Sequence, residues 1–322
     1  MNFEAHTEHV KLAIRHLDRG DYDAALAELD TALELDDTPH ARWDRALTLF
    51  GLGRYHDARE DFEHRWNLFV HGVDERGRQL LRDLPRWRGE RLTGKRLVVI
   101  HEGGFGDTVM LLRYLHQIRG AVALHMPKEL ERLAQQFAPL VGEIGEQDVC
   151  CTTFDLMTLL QPPSSGPLFA SYIWPDPVLQ KKWRLRFWDD KPTLGITWSS
   201  ERGTNREREI ALELMLDQVL SDCRIISLQT HDTEQAQAHG VLVPGVEDFA
   251  DLAALISVLD RVISIDTAAL HVAGALGHRA TSAILPFTSC WRWHIGNHWY
   301  PNIKLCRQQA PGDWASAFGQ LQ

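Results

Sequence analysis

The chain has 322 residues, enough for two or three domains with sizeable cores. Its 44% hydrophobic and 24% charged residues are those of an ordinary soluble globular protein. Thirty-four basic against 44 acidic residues leave a formal charge of −10, which argues against a dedicated binder of nucleic acid or of an anionic membrane.

The start, Met1-Asn2-Phe3-Glu4-Ala5-His6, has no basic stretch leading into an apolar core, so no signal peptide is read there. No apolar run is long enough to span a bilayer. The five cysteines, Cys150, Cys151, Cys223, Cys290 and Cys306, show no CxxC spacing. Neither a disulfide framework nor a zinc site is expected from them, and the location expected is the reducing cytoplasm.

Residues 8–66 read as helices throughout. Gly20-Asp21-Tyr22 with Ala25, Leu29 and Ala32 recurs 33 residues on as Gly53-Arg54-Tyr55 with Ala58, Phe62 and Arg65. The alanines let paired helices approach, the glycine allows the tight turn, and the aromatic fills the groove between helices. This pattern resembles the tetratricopeptide repeat of about 34 residues, although Arg65 stands where an alanine is expected. The helical segment is expected over residues 1–83. Two repeats are few for independent stability, so the pair should lean on the domain after it. Two readings stand side by side: a surface that presents a partner or substrate, and a structural cap.

Leu84-Pro85-Arg86-Trp87-Arg88-Gly89 breaks the helical pattern. A strand, residues 96–101, then runs into Glu102-Gly103-Gly104-Phe105-Gly106-Asp107, which opens a helix. Glycines here let a backbone approach a ligand with no Cβ in the way. No Gly-Lys-Ser/Thr follows, so the loop is not a P-loop. It is a poor dinucleotide fingerprint too, because Val109 holds the third glycine position and the next strand, 121–126, ends in no ribose-binding acid. A nucleotide-dependent oxidoreductase or epimerase is disfavoured on that ground. Asp107 remains, either a carboxylate at the mouth of the loop or an ordinary helix-capping acid.

Residues 130–137 read as a helix, 154–160 as an irregular segment with a helical turn, and 162–167 as a loop. The Lys-, Arg- and Trp-rich stretch 181–190 reads as a link between two α/β halves, 84–182 and 183–322. The strand 193–198 ends in Ser199-Ser200, followed by a polar loop with Arg202, Asn205, Arg206 and Arg208, enough positive charge to face an anion. A helix near 212–220, a strand at 224–229 and a helix near 248–259 lead to the stretch the chain is organised around, residues 261–271. There a β-branched strand turns into a helix at Asp266-Thr267. That junction leaves unpaired N–H groups and a positive dipole end at the sheet's carboxyl edge, where an α/β fold binds phosphate. Thr267 and His271, four apart, share the helix face at that mouth. Strands at 280–285 and 303–306 and a helix at 313–318 complete the chain. His294 and His298 lack a third ligand, and stacking among Trp291, Trp293 and Trp299 is expected there instead.

Glu-Gly-Gly-Phe-Gly-Asp (102–107), Gly-Ile-Thr-Trp-Ser-Ser (195–200), Ser-Leu-Gln (227–229), Asp-Thr-Ala-Ala-Leu-His (266–271), Leu-Pro-Phe (285–287), Cys-Trp-Arg-Trp (290–293) and Trp-Tyr-Pro (299–301) occur in order. With the repeats ending Phe62-Glu63-His64-Arg65-Trp66, they resemble bacterial tetratricopeptide-repeat proteins that carry a heptosyltransferase-like glycosyltransferase domain. The resemblance spans nearly the whole chain. It implies an α/β fold of the GT-B kind: two Rossmann-like halves facing across a cleft, preceded by the all-α repeat segment. Donor nucleotide would sit on the C-terminal half and acceptor on the N-terminal half, which is short here.

Carried onto these positions, the resemblance implies that Asp107 is the base, beside the glycine loop Gly103, Gly104, Phe105 and Gly106. Thr267 and Ala268 would hold the donor diphosphate through their backbone, with His271 alongside. Ser199 and Ser200 match the family's hydroxyl pair, and Asn205 or Arg206 stands in for a lysine that this chain lacks. Gln229 and Asp266 complete the expected donor set. The implied activity is transfer of a sugar, of hexosyl or heptosyl type, from a nucleotide-sugar to a hydroxyl, with inversion. The acceptor, a protein or a glycan, would be presented by the repeats. Such transfer needs a base for the hydroxyl and a means of stabilising the departing diphosphate. Metal-dependent sugar transferases commonly use Asp-x-Asp. That triplet occurs here as Asp21-Tyr22-Asp23 in a repeat turn, so neither metal nor cofactor is expected. The rival reading is a non-catalytic adaptor that has kept the fold and lost turnover.

Overall fold

The computed structural model describes residues 2–68, 72–160, 171–187, 189, 191–200, 206–219 and 222–321, and of Asn2 and Arg206 the backbone alone. It opens with three stacked helices, α1 (Asn2–Leu17), α2 (Tyr22–Leu35) and α3 (Pro39–Gly51). Asp21 caps α2 by accepting the Ala24 N–H at 3.1 Å, and Thr38 caps α3, with Pro39 pre-set in its first turn. Ala13, Ala25 and Leu29 close the seam between α1 and α2 with no exposed surface. Gly51 lets the Tyr22 ring lie directly on the α3 backbone, since a Cβ there would fall 1.9 Å from the ring. The second hairpin is truncated. Its second helix, α4 (Arg59–Glu63), has five residues and passes into a 3₁₀ turn, His64–Asn67, where Arg65 turns inward.

The next helix, α5 (Glu75–Asp83), does not extend this stack. Leu80 and Leu84 pack with Val98, Ile100, Ala123 and Cys150 on one face of the first sheet. That sheet has β1 (Arg96–Ile100), β2 (Ala121–His125) and β3 (Asp148–Thr152), all parallel, in the order β2-β1-β3. Its crossover helices are α6 (Phe105–Leu111), continued by a 3₁₀ turn, and α7 (Lys128–Ala134). The segment expected to be irregular is a helix, α8 (Thr153–Leu159). A reciprocal cap sets it: Thr152 accepts the Asp155 N–H at 3.3 Å and Asp155 accepts the Thr152 N–H at 2.8 Å. The loop expected at 162–167 lies outside the described residues.

The expected link at 181–190 is partly helical too, because Asp176 and Pro177 start α9 (Pro177–Arg186) upstream of it. The boundary expected at 182 falls inside this helix. Trp183 is fully buried there and donates its Nε1–H to Asp251 at 2.8 Å, tying α9 to the second half.

That half holds β4 (Thr193–Thr197), α10 (Leu212–Val219), β5 (Arg224–Ser227), α11 (Thr233–Ala238), α12 (Phe249–Ile256), β6 (Arg261–Ser264) and α13 (Ala268–Ala275). It continues with β7 (Thr281–Leu285), α14 (Trp291–His294), β8 (Ile303–Arg307) and α15 (Trp314–Phe318). The sheet is parallel in the order β5-β4-β6-β7-β8, so the winding reverses between β4 and β6. In such a sheet the crevice for a ligand opens at the carboxyl ends of the two strands flanking that reversal. The first sheet reverses at β1. No helix among the described residues is long and apolar enough to cross a membrane.

The helical segment is anchored to both halves. Tyr22 stacks on His294 with ring centres 3.8 Å apart, and the Tyr55 hydroxyl lies 3.0 Å from His298 Nε2. Tyr22 and Tyr55, 33 residues apart, thus take up His294 and His298. Thr288 adds a hydrogen bond to the Asp18 carbonyl at 2.8 Å. Of the expected tryptophan stack, Trp291 and Trp299 meet edge-on, while Trp293 stacks on His271 instead.

Candidate active site

The carboxyl ends of both sheets and one side of the helical segment enclose a cleft of about 1030 Å³. The N-terminal lip is the glycine loop after β1. Gly103 sits at φ 89°, a left-handed conformation that only glycine adopts without strain. Asp107 is in the first turn of α6. Its Oδ2 accepts the Gly104 N–H at 2.8 Å, and its Oδ1 is held by the Arg292 guanidinium, which reaches across from α14. The exposed, uncovered carboxylate expected at this lip is therefore absent: both oxygens are engaged and the side chain is 18% exposed. Nor does Gly106 make room for a ligand. A Cβ there would lie 2.6 Å from His271 Cδ2 and 3.2 Å from Ala268 Cα, so this glycine is where α6 and α13 press together at the cleft floor.

The C-terminal lip is the start of α13. Thr267 is its N-cap residue, but the side chain caps nothing. Its hydroxyl lies 3.2 Å from Ser264 Oγ and 3.3 Å from Thr197 Oγ1, across the ends of β6 and β4. The first-turn N–H groups are thus left without a side-chain cap, beside Ala268 and Ala269 in the cleft wall. Asp266 faces inward. It accepts the Cys290 thiol at 3.2 Å and lies 3.6 Å from His271 Nε2. Burial pushes its pKa up, but His271, and then Arg292 and Arg208, more than offset this and hold it well below the usual carboxylate range. Burial, with the Asp266 charge beside it, pushes the Cys290 thiol up to about 12, so the thiol remains a donor. His271 is 4% exposed, with Nδ1 2.9 Å from the Tyr300 hydroxyl, so both ring nitrogens face the interior.

Beyond β4, Ser199 and Gln229 form one polar knot. Gln229 Oε1 accepts the Trp198 and Ser199 N–H groups at 3.1 and 3.3 Å, and its amide donates to Ser199 Oγ at 2.8 Å. Ser199 donates to Asp232 at 2.5 Å; Asp232 itself sits at φ 54°, a strained conformation for a non-glycine residue. Ser200 donates to Glu209 at 3.3 Å. Asn205 lies outside the described residues, and Arg206 opens a 3₁₀ turn, Arg206–Arg208. The arginine that reaches the β6 end is Arg208, donating to the Asp266 carbonyl at 2.8 Å.

The third wall is helical: Trp43, Leu47, Phe62 and Arg65 line the same cleft. Arg65, the departure from the repeat pattern, is 1% exposed and grips Glu102 through two bonds of 2.8 and 3.0 Å. It also donates to Asp155 at 2.6 Å and Thr152 at 3.2 Å. Burial raises the Asp155 pKa, but the charges of Arg65 and Arg86 lower it further, below its ordinary value. Glu102 opens the glycine loop, so this arginine fixes the loop from the helical side.

Arg292, Cys290 and Tyr300 are the site residues that sequence reasoning passed over. The first two lie in the Cys-Trp-Arg-Trp stretch and Tyr300 in Trp-Tyr-Pro, both of which carried only family likeness. An arginine between tryptophans was the available signal.

No family model matches the chain. Protein FlbA of Caulobacter vibrioides is 26% identical over 368 aligned positions, covering 96% of this chain and 59% of that protein. The chain thus spans about three fifths of the length of this curated relative. Among solved structures, a glycosyl transferase family 9 protein from Veillonella parvula superposes with a TM-score of 0.52 at 11% identity, over 69% of this chain and 88% of that one. An O-GlcNAc transferase mutant from Thermobaculum terrenum covers 97% of this chain and 82% of its own at a TM-score of 0.31 and 14% identity. The family 9 superposition shows a shared fold.

Proposed function

We propose that this cleft transfers a sugar from a nucleotide-sugar to a hydroxyl acceptor. The observation that carries the reading is the opposition of charges across the cleft. The uncapped start of α13, with Arg208 and Arg292 beside it, faces the carboxylate of Asp107 on the other half. The diphosphate would lie at the α13 N-terminus, where backbone N–H groups and the helix dipole favour an anion. The acceptor, a protein or glycan, would enter between the glycine loop and Trp43, Leu47 and Phe62 of the helical segment. Its oxygen attacks the anomeric carbon from the face away from the diphosphate, which inverts that centre, and Asp107 takes the proton. Charge developing on the leaving diphosphate is met by two arginines and a helix end, so this route needs no metal.

The engaged state of Asp107 favours a second reading, a binding module that keeps the fold without turnover. A thermal-shift panel of nucleoside diphosphates and nucleotide-sugars tests the first step. A ligand at a hundred times its Kd stabilises the folded state by about 2.7 kcal/mol. Nucleotide binding with release of nucleoside diphosphate from the matching sugar donor supports transfer. Binding without release supports the module, and no binding across the panel overturns the donor site.

A further inference from the structure

The base of that reaction is held by a cation from the opposite half. We propose that Arg292 is a latch with two claimants, Asp107 and the donor diphosphate, so that Asp107 becomes available as a base only when the diphosphate draws Arg292 away. The inference rests on the glycosyl-transfer reading.

Four observations support it. Arg292 belongs to α14 of the C-terminal half, yet its Nη2 pairs with Asp107 Oδ1 of the N-terminal half, and both line the one cleft. The pairing is through a single carboxylate oxygen, because Oδ2 is committed to the Gly104 N–H. A phosphate, by contrast, offers a guanidinium two oxygens in a fork and more charge. The guanidinium has donors to spare: its Nε has no hydrogen-bond partner among the described residues, its other hydrogen bond goes to Cys290 Sγ at 3.6 Å, and it rests over the Trp291 ring at 4.2 Å. Finally, Arg292 is already beside the phosphate end of the cleft. The same Cys290 thiol donates to Asp266 at 3.2 Å, and Asp266 is one residue before the α13 N-cap.

The bond to Gly104 makes the exchange productive. When Arg292 turns to the diphosphate, Asp107 keeps its place in the first turn of α6, with Oδ1 freed toward the cleft. The acceptor oxygen then forms its bond to the anomeric carbon with a lone pair. The bond from that carbon to the phosphate oxygen breaks, its pair staying on the diphosphate beside Arg292. The acceptor proton passes to Asp107 Oδ1. Departure of the nucleoside diphosphate returns Arg292 to Asp107. Transfer is then ordered, donor before deprotonation.

Calorimetric titration of the full chain with UDP, GDP, ADP, CDP and dTDP tests the latch without knowledge of the acceptor. Asp107→Asn still accepts the Gly104 N–H but gives up the claim on Arg292, so the best diphosphate should bind at least about fivefold more tightly than to the wild type. Arg292→Gln should weaken it by about tenfold or more, with Arg292→Lys in between. In the Arg292→Gln background, Asp107→Asn should bring no tightening. Equal or weaker binding by Asp107→Asn alone makes the ion pair a structural tie and overturns the latch. Tightening that persists in the Arg292→Gln background reduces it to plain repulsion and overturns it too. If Arg292→Gln fails to fold, as a melt would show, Arg292→Lys serves as the background, and tightening there as large as in the wild type overturns the latch. Should no diphosphate bind the wild type, the glycosyl-transfer reading fails and the latch with it. Binding by the wild type without the Asp107→Asn gain removes the latch alone.

Discussion

The two helices that meet at the cleft floor both follow a strand and differ in their capping. Both α6 and α13 follow directly from a strand at the point where its sheet reverses, β1 and β6. At the start of α6, the Asp107 carboxylate sits in the first turn and accepts the Gly104 N–H. That end already holds a carboxylate, paired with Arg292. At the start of α13, Thr267 turns its hydroxyl away to Ser264 and Thr197 and leaves the N–H groups uncapped. The two helix starts thus differ in how their first side chains are used: a carboxylate that accepts the Gly104 N–H and pairs with Arg292 at α6, and a hydroxyl turned away at α13.

The largest test removes the charge on the α6 side. Asp107→Asn preserves the bond to Gly104 but gives up the pair with Arg292, so the melt should drop modestly, while turnover with the true donor and acceptor falls about 10²–10⁴-fold. A rate close to wild type would reduce Asp107 to a helix cap. Next is the support of the α6 loop by the helical segment. Arg65→Ala strands the buried Glu102 carboxylate and leaves Asp155 to Arg86 alone, and should cost about 3–5 kcal/mol in denaturant unfolding. A loss under about 1 kcal/mol would mean that the loop is held by packing alone. Smaller again is the conversion of one mouth into the other. Thr267→Glu places a carboxylate at the start of α13, so diphosphate affinity should drop by about tenfold or more with no loss of helix stability. Unchanged affinity would move the phosphate elsewhere.

The smallest effect is in pH. The Asp266 pKa is depressed in the folded chain, so its contribution to stability is present above the unfolded value of about 3.9 and lost as pH falls below it toward the folded value. The melting-temperature gap between wild type and Asp266→Asn should therefore be steady from pH 7 to pH 5 and shrink below about pH 4. A gap that widens with acid would contradict the assigned direction.

The order of elements and much of the local geometry were legible in the amino-acid sequence alone. The parallel strands showed as β-branched runs, the N-terminal helices as an apolar pattern with a 33-residue recurrence, and the junction of β6 and α13 as a strand turning into a helix at Asp266-Thr267. These are readable because caps, turns and periodicity are set by residues within a few positions of one another. Even so, α8 was read only as a helical turn in an irregular segment, because its start depends on a reciprocal side-chain cap rather than on a long apolar period. Which charges meet was settled only by the packing of the folded chain. Arg292 finds Asp107 across 185 residues, and Arg65 finds Asp155 across 90. Tyr55 finds His298 across 243. No local pattern encodes such pairs, because a buried charge takes its partner from whatever the packing of separate elements brings within reach. That is why Arg65 reads in sequence as a flaw in a repeat and in three dimensions as the bolt between helices and sheet. It is also why Asp107, read either as a base or as a helix cap, is found both capping α6 and held by Arg292.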